Sequence, residues 1–178
     1  MNFVIKTITL FLILLISSCT LQDSSKSKAS LQTNKLTPVV NPCKKLDALL
    51  NEHDNNFDRI KSAVISTRIS KIWQAKYHLV GNNCQVWAWG GQSTTYACSM
   101  PTPNEEVAQE YFNAAIATTQ KCLSNDWQVN KSSRQNKSGY KAEFTTANKE
   151  VMVSVHMVPT AGLFASEWTV YYYVGTAR

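Results

Sequence analysis

Glu143, Ser154 and His156 come closest to a reaction centre in this chain, because a carboxylate, a hydroxyl and an imidazole are the parts of a nucleophilic triad. Strand-like alternation puts all three on one face of neighbouring segments, with Ser154 opposite Glu143. Their order and orientation on a flat sheet supply no oxyanion donors. The chain also holds no G-x-S-x-G, H-E-x-x-H or phosphate-loop sequence. The expectation is a protein that is not an enzyme. Zinc would want closely spaced Cys or His ligands, and neither C-x-x-C nor H-x-x-x-H occurs, so no metal site and no cofactor is expected. Lys131, Arg134 and Lys137 cluster in one predicted loop and read as a solvated loop rather than an anion site.

Cys19 belongs to a different chemistry. Residues 1–18 carry one basic side chain, Lys6, and then an apolar run from Ile8 to Ile16. That run is too short to span a bilayer and has the order of a signal peptide. It ends in Ile16-Ser17-Ser18-Cys19. An aliphatic residue, two small residues and a cysteine resemble the lipobox of bacterial lipoproteins. The resemblance covers the signal segment alone and implies cleavage before Cys19 and acylation of its thiol. Each buried methylene adds ~0.8 kcal/mol, so two or three chains hold a protein at a membrane. Thr20 in place of an aspartate implies an outer-membrane destination, with the domain facing the periplasm. Residues 19–40 are the lipidated cysteine and a Ser/Lys-rich tether without apolar periodicity. The 23 residues from Thr20 to Pro42 span roughly 26 Å as a coil. Residues 41–178 are then a single domain.

With Cys19 assigned to lipid, Cys43, Cys84, Cys98 and Cys122 remain, an even set in an oxidising compartment. Cys84 to Trp89 and Thr94 to Cys98 are strand-like runs around Gly90-Gly91-Gln92-Ser93. Folded as a hairpin, they set Cys84 opposite Cys98 and Val86 opposite Tyr96, close enough for a bridge. Cys43 and Cys122 then pair, from the start of one helix to the end of another. Removing Lys6 with the signal leaves a net charge of +5, and the domain itself is only +3. That is weak for a surface that tracks phosphates, and no nucleic-acid partner is expected.

The positioning elements follow from periodicity. Asn41-Pro42 starts a helix, and Leu46, Leu49, Leu50, His53, Phe57, Ile60 and Val64 follow at steps of three and four. The spacing predicts a helix from Pro42 to about Ser66, with His53 a core or rim residue. Thr102-Pro103-Asn104-Glu105 reads as a capping box opening a second helix along Val107, Ala108, Tyr111, Ala115, Thr119 and Cys122. Strands are predicted over Ile72–Val80, the Cys84 and Tyr96 runs, Trp127–Lys131, Tyr140–Thr146, Val151–Val158 and Glu167–Val174. The expected fold is α+β: a mainly antiparallel, twisted sheet with two helices on one face, in the order α-βββ-α-ββββ, with two disulfides and a suggestion of two related halves. Such a layout leaves no obvious large cavity.

Alternation divides the strands into two faces. The core set is Trp73, Tyr77, Leu79, Cys84, Val86, Tyr96 and Cys98, then Tyr140, Phe144, Val151, Val153, Val155, Trp168, Val170 and Tyr172. The outer set is largely polar (Gln74, Lys76, His78, Thr95, Lys141, Glu143, Ser154, His156), apart from Trp87, Trp89, Met152, Tyr171 and Tyr173. Large aromatic rings left together in water mark a docking patch for protein or glycan. Leu163 and Phe164, at the tip of an eight-residue connection from Pro159 to Ser166, are a second candidate contact. The expected function is a lipid-anchored, non-catalytic module that binds a protein in the cell envelope. An inhibitor or immunity protein against an envelope-targeting toxin or hydrolase fits best. The alternative is an assembly or secretion-accessory lipoprotein of the pilotin kind.

Overall fold

Asn41 adopts a left-handed backbone (φ 52°) and Pro42 supplies the first turn of α1, Pro42–Glu52. Leu46, Leu49 and Leu50 form its buried stripe. The structure is a computed structural model that describes residues 40–68, 70–89, 93–134, 138–161 and 166–176. Residues 1–39, with the signal segment, Cys19 and the tether, lie outside the described residues.

α1 stops well short of Ser66. Asn56 and Phe57 are consecutively left-handed (φ 54° and 59°), which no right-handed helix can pass. The Phe57 amide donates to the Glu52 carbonyl at 2.8 Å, and the Asn56 side chain accepts the Thr94 hydroxyl at 3.1 Å. The turn still delivers Phe57 and Ile60 into the core, at 0% and 2% exposure. Their three-and-four spacing is therefore real burial without helix. The chain emerges as β1, Lys61–Ser66, a strand the periodicity hid. Val64, expected on the helix stripe, is 59% exposed there.

The remaining elements are β2 (Lys71–Ala75), β3 (Asn83–Ala88), β4 (Thr94–Thr102), α2 (Glu105–Cys122), β5 (Gln128–Ser133), β6 (Tyr140–Thr146), β7 (Lys149–Ala161) and β8 (Ser166–Thr176). The order is α-ββββ-α-ββββ, one strand more than expected. All neighbours are antiparallel, in the order β1-β2-β3-β4-β8-β7-β6-β5. Two α-ββββ halves thus meet at their last strands, β4 against β8. β2 ends at Ala75, so Lys76 and His78 leave the outer face; the Lys76 ammonium instead donates to the Arg59 carbonyl at 2.9 Å. Gly81, at φ +61°, turns the chain into β3, and a Cβ there would stand 2.6 Å from the Ser99 carbonyl oxygen.

The cap of α2 is Asn104, not Thr102. The Asn104 side chain accepts from the Val107 amide at 2.9 Å. Pro103 keeps Thr102 extended, so Thr102 closes β4 and donates to the Trp168 carbonyl at 3.0 Å.

Both disulfides are those the hairpin argument pairs. Cys84 faces Cys98 with Cα atoms 4.0 Å apart, and Cys43 meets Cys122 with Cα atoms 4.7 Å apart. Helix α1 packs on α2, and α2 packs on β4, β7 and β8. One apolar cluster joins both helices to Val86, Tyr96, Phe144, Val153, Val155, Val170 and Val174. Each such side chain buried adds ~1.5–3 kcal/mol. Four members of the expected core, Trp73, Tyr77, Leu79 and Trp168, are only partly buried against it. Tyr140, the first residue of β6, is 47% exposed, whereas Ala142 and Phe144 further along the same face are buried.

Candidate interaction site

In β3 the inward residues are Cys84 and Val86, which turns Asn83, Gln85 and Trp87 outward. The same pleat turns Thr95, Ala97 and Ser99 of β4 and Tyr171 and Tyr173 of β8 outward. Register aligns them: Trp87 opposes Thr95, Gln85 opposes Ala97, and Ala97 and Ser99 oppose Tyr173 and Tyr171. β4 is the strand between β3 and β8, so the Trp and Tyr walls stand roughly 10 Å apart, two strand spacings. Between them the small β4 side chains make a floor. The result is a groove of about 400 Å³ lined by Trp87, Trp89, Tyr171 and Tyr173.

Each wall is held by contacts of its own side chains. The Trp87 and Trp89 rings are 5.2 Å apart and tilted by 31°, while Tyr171 and Tyr173 stack at 5.8 Å and 12°. The Trp87 indole N–H donates to Gln85 Oε1 at 2.8 Å, the Gln85 amide to Asn83 Oδ1 at 3.2 Å, and the Asn83 amide to the Ser99 hydroxyl at 2.9 Å. This relay fixes the Trp87 rotamer. Trp89, next to the hairpin turn, is 44% exposed.

The Tyr wall continues onto β7 and β6. His156 sits edge-on to Tyr173 at 5.3 Å, and its Nε2 is 3.2 Å from the Ser154 hydroxyl. Burial, then the nearby Arg134 cation, lowers the His156 pKa to about 4, with Lys141 adding to the effect and Glu143 opposing it. Burial, with help from Tyr171, raises the Tyr173 phenol to about 12 against the lowering effect of Arg134. At neutral pH both are uncharged. Ser154 does oppose Glu143, but the carboxylate bonds to Lys141 at 2.8 Å while the imidazole bonds to Ser154. The three groups are adjacent without forming an acid–base relay. Among the described residues no cluster of three or more His, Cys, Asp or Glu side chains could hold a metal.

The structure therefore gathers Trp87, Trp89, Tyr171 and Tyr173 into one groove. Met152 does not join it. It lies on β7 opposite Gly175, half-buried. Leu163, Phe164 and Cys19 lie outside the described residues. Sequence reasoning missed the Asn83–Gln85–Ser99 relay and the Ala97 floor. The available signal was the alternation of small outward residues, Thr95, Ala97 and Ser99, along one strand.

A second hollow, of about 310 Å³, lies on the side of Leu46, Met100, Ala115 and Tyr172, between α1, α2 and the β2–β3 connection. The connection through Leu79 and Val80 forms one wall of this half-open hollow, and Pro42 and Leu46 of α1 form another. Comparison with protein-family models, with curated proteins and with solved structures finds no match to this chain.

Proposed function

We propose that this chain is a non-catalytic, protein-binding domain held in the cell envelope by lipid on Cys19, and that the aromatic groove is its docking surface. Both helices, in this reading, cover the sheet face opposite the groove and leave the aromatic side free. The observation that carries the proposal is the pair of preordered aromatic walls facing each other over a small-residue floor. Trp and Tyr concentrate binding energy because they bury large rigid area at low entropic cost. The groove suits a single extended segment or loop of a partner lying along β4. An inhibitor or immunity role against an envelope toxin or hydrolase uses such a rigid, disulfide-braced surface.

The test is affinity capture from envelope extract by the full chain and by its Trp87→Ala/Trp89→Ala variant. The proposal expects an exported toxin or hydrolase on the parent and its loss from the variant. A folded double variant that keeps every partner overturns the groove assignment. A secretion component on the parent points instead to the pilotin-like role. Mass spectrometry of the mature N-terminus tests the anchor separately: acyl chains on Cys19 are expected, and an uncleaved, unmodified N-terminus overturns them.

A further inference from the structure

The hollow between the helices has no part in the docking groove, and its chemistry is different. Its wall is built from side chains such as Leu46, Leu79, Val80, Met100 and Ala115. The polar atoms at its base satisfy one another: the Tyr172 hydroxyl lies 2.9 Å from Thr119 Oγ1, which donates to the Ala115 carbonyl at 2.8 Å. No buried side-chain polar atom among the described residues lacks a partner, so the hollow asks nothing polar of an occupant. A closed apolar cavity of ~150 Å³ accepts benzene; this hollow, half-open to solvent, has about twice that volume, which on the same scale is room for roughly ten to twelve carbons. Lys45, next in the chain to Leu46 of the wall, extends its ammonium to the His78 carbonyl at 3.5 Å, one residue before Leu79 of the wall. Lys45 is partly buried and forms no ion pair among the described residues. A half-buried cation without an ion pair, adjacent in the chain to one wall residue and bonded beside another, favours an anionic head on an alkyl chain that enters the hollow.

The geometry points to a binding site for a single-chain anionic amphiphile, with the alkyl chain between α1 and α2 and the anionic head at Lys45. This site is independent of the outer groove and of any partner protein there. Met100 at the wall adapts to chains of different length because its thioether side chain is unbranched and flexible.

Calorimetric titration of the full-length chain with dodecanoate, below its micellar concentration, tests the site. Cys19→Ser is introduced first, to remove any lipid of the chain's own. One-to-one saturable binding is expected. Ala114→Phe fills the hollow and should weaken binding at least tenfold. Thr118→Trp at the exposed rim should do the same should the first variant misfold. Lys45→Gln should weaken dodecanoate three- to tenfold and leave dodecanol unchanged. Trp87→Ala, on the other side, should change affinity less than twofold. Absence of saturable binding, indifference to both filling variants, or an equal loss in Trp87→Ala overturns the site. A Lys45→Gln protein that binds dodecanoate like the parent overturns the placement of the head.

Discussion

The two α-ββββ halves share an element order but reach stability by different routes. In the second, β7 and β8 are strands of 13 and 11 residues in a ladder without a register break, and Phe144, Val153, Val155, Val170 and Val174 are all essentially buried. In the first, β1 to β3 run five or six residues, β1 meets β2 through two register shifts, and the Cys84–Cys98 bridge clasps β3 to β4. Long ladders bury enough apolar surface to hold themselves; short ones with outward aromatics need a covalent brace. The outer faces differ as well. The braced half carries Trp87 and Trp89 outward, while the outer side of β6 and β7 carries the Lys141–Glu143 pair and the Ser154–His156 bond.

Removing the bridge between the halves should have the largest effect. Loop-closure entropy for 79 residues is about 4.5 kcal/mol, and Cys43→Ser/Cys122→Ser should lose most of it in denaturant unfolding. A loss below 1 kcal/mol would show that α1 is held by packing alone. Phe144→Ala should cost ~3–5 kcal/mol, since it opens a cavity in the regular half. The Cys84–Cys98 bridge closes a loop of only 14 residues, and Cys84→Ser/Cys98→Ser should cost about 3 kcal/mol. Hydrogen exchange should then rise in β2–β4 and stay slow in β7–β8. A uniform rise across the sheet would erase the contrast between the halves.

Next comes the surface contrast. Trp87→Ala should weaken a captured partner by ~2 kcal/mol or more, about thirtyfold, whereas Lys141→Ala in the other half should change it by less than ~0.5 kcal/mol. Equal effects would extend the docking surface across the whole sheet. The smallest effect concerns pH. His156 is neutral in the fold, with a pKa lowered from 6.5 to about 4, so the fold favours the unprotonated ring. Its contribution is present above pH 6.5 and is lost as pH falls from there towards 4. Denaturant unfolding at pH 7 and pH 5 should show a smaller drop in His156→Gln than in the parent.

Local pattern in the chain was enough for much of this. Period-two alternation placed β3, β4, β6, β7 and β8 within a few residues and assigned Trp87, Tyr171 and Tyr173 outward, because a strand's two faces are written into consecutive residues. The Cys84–Cys98 bridge followed from the same hairpin, and Cys43–Cys122 was left as the remaining pair. Other features depended on contacts between residues far apart in the chain. Left-handed Asn56 and Phe57 end α1 with support from Thr94, 38 residues on from Asn56, so helical spacing could not reveal the break. β4 lies beside β8 rather than β5, and that crossing alone sets the Trp wall opposite the Tyr wall. Alternation decides which face a side chain takes. Which strand stands next to it is decided by how the helices and strands of the described residues bury their apolar sides together.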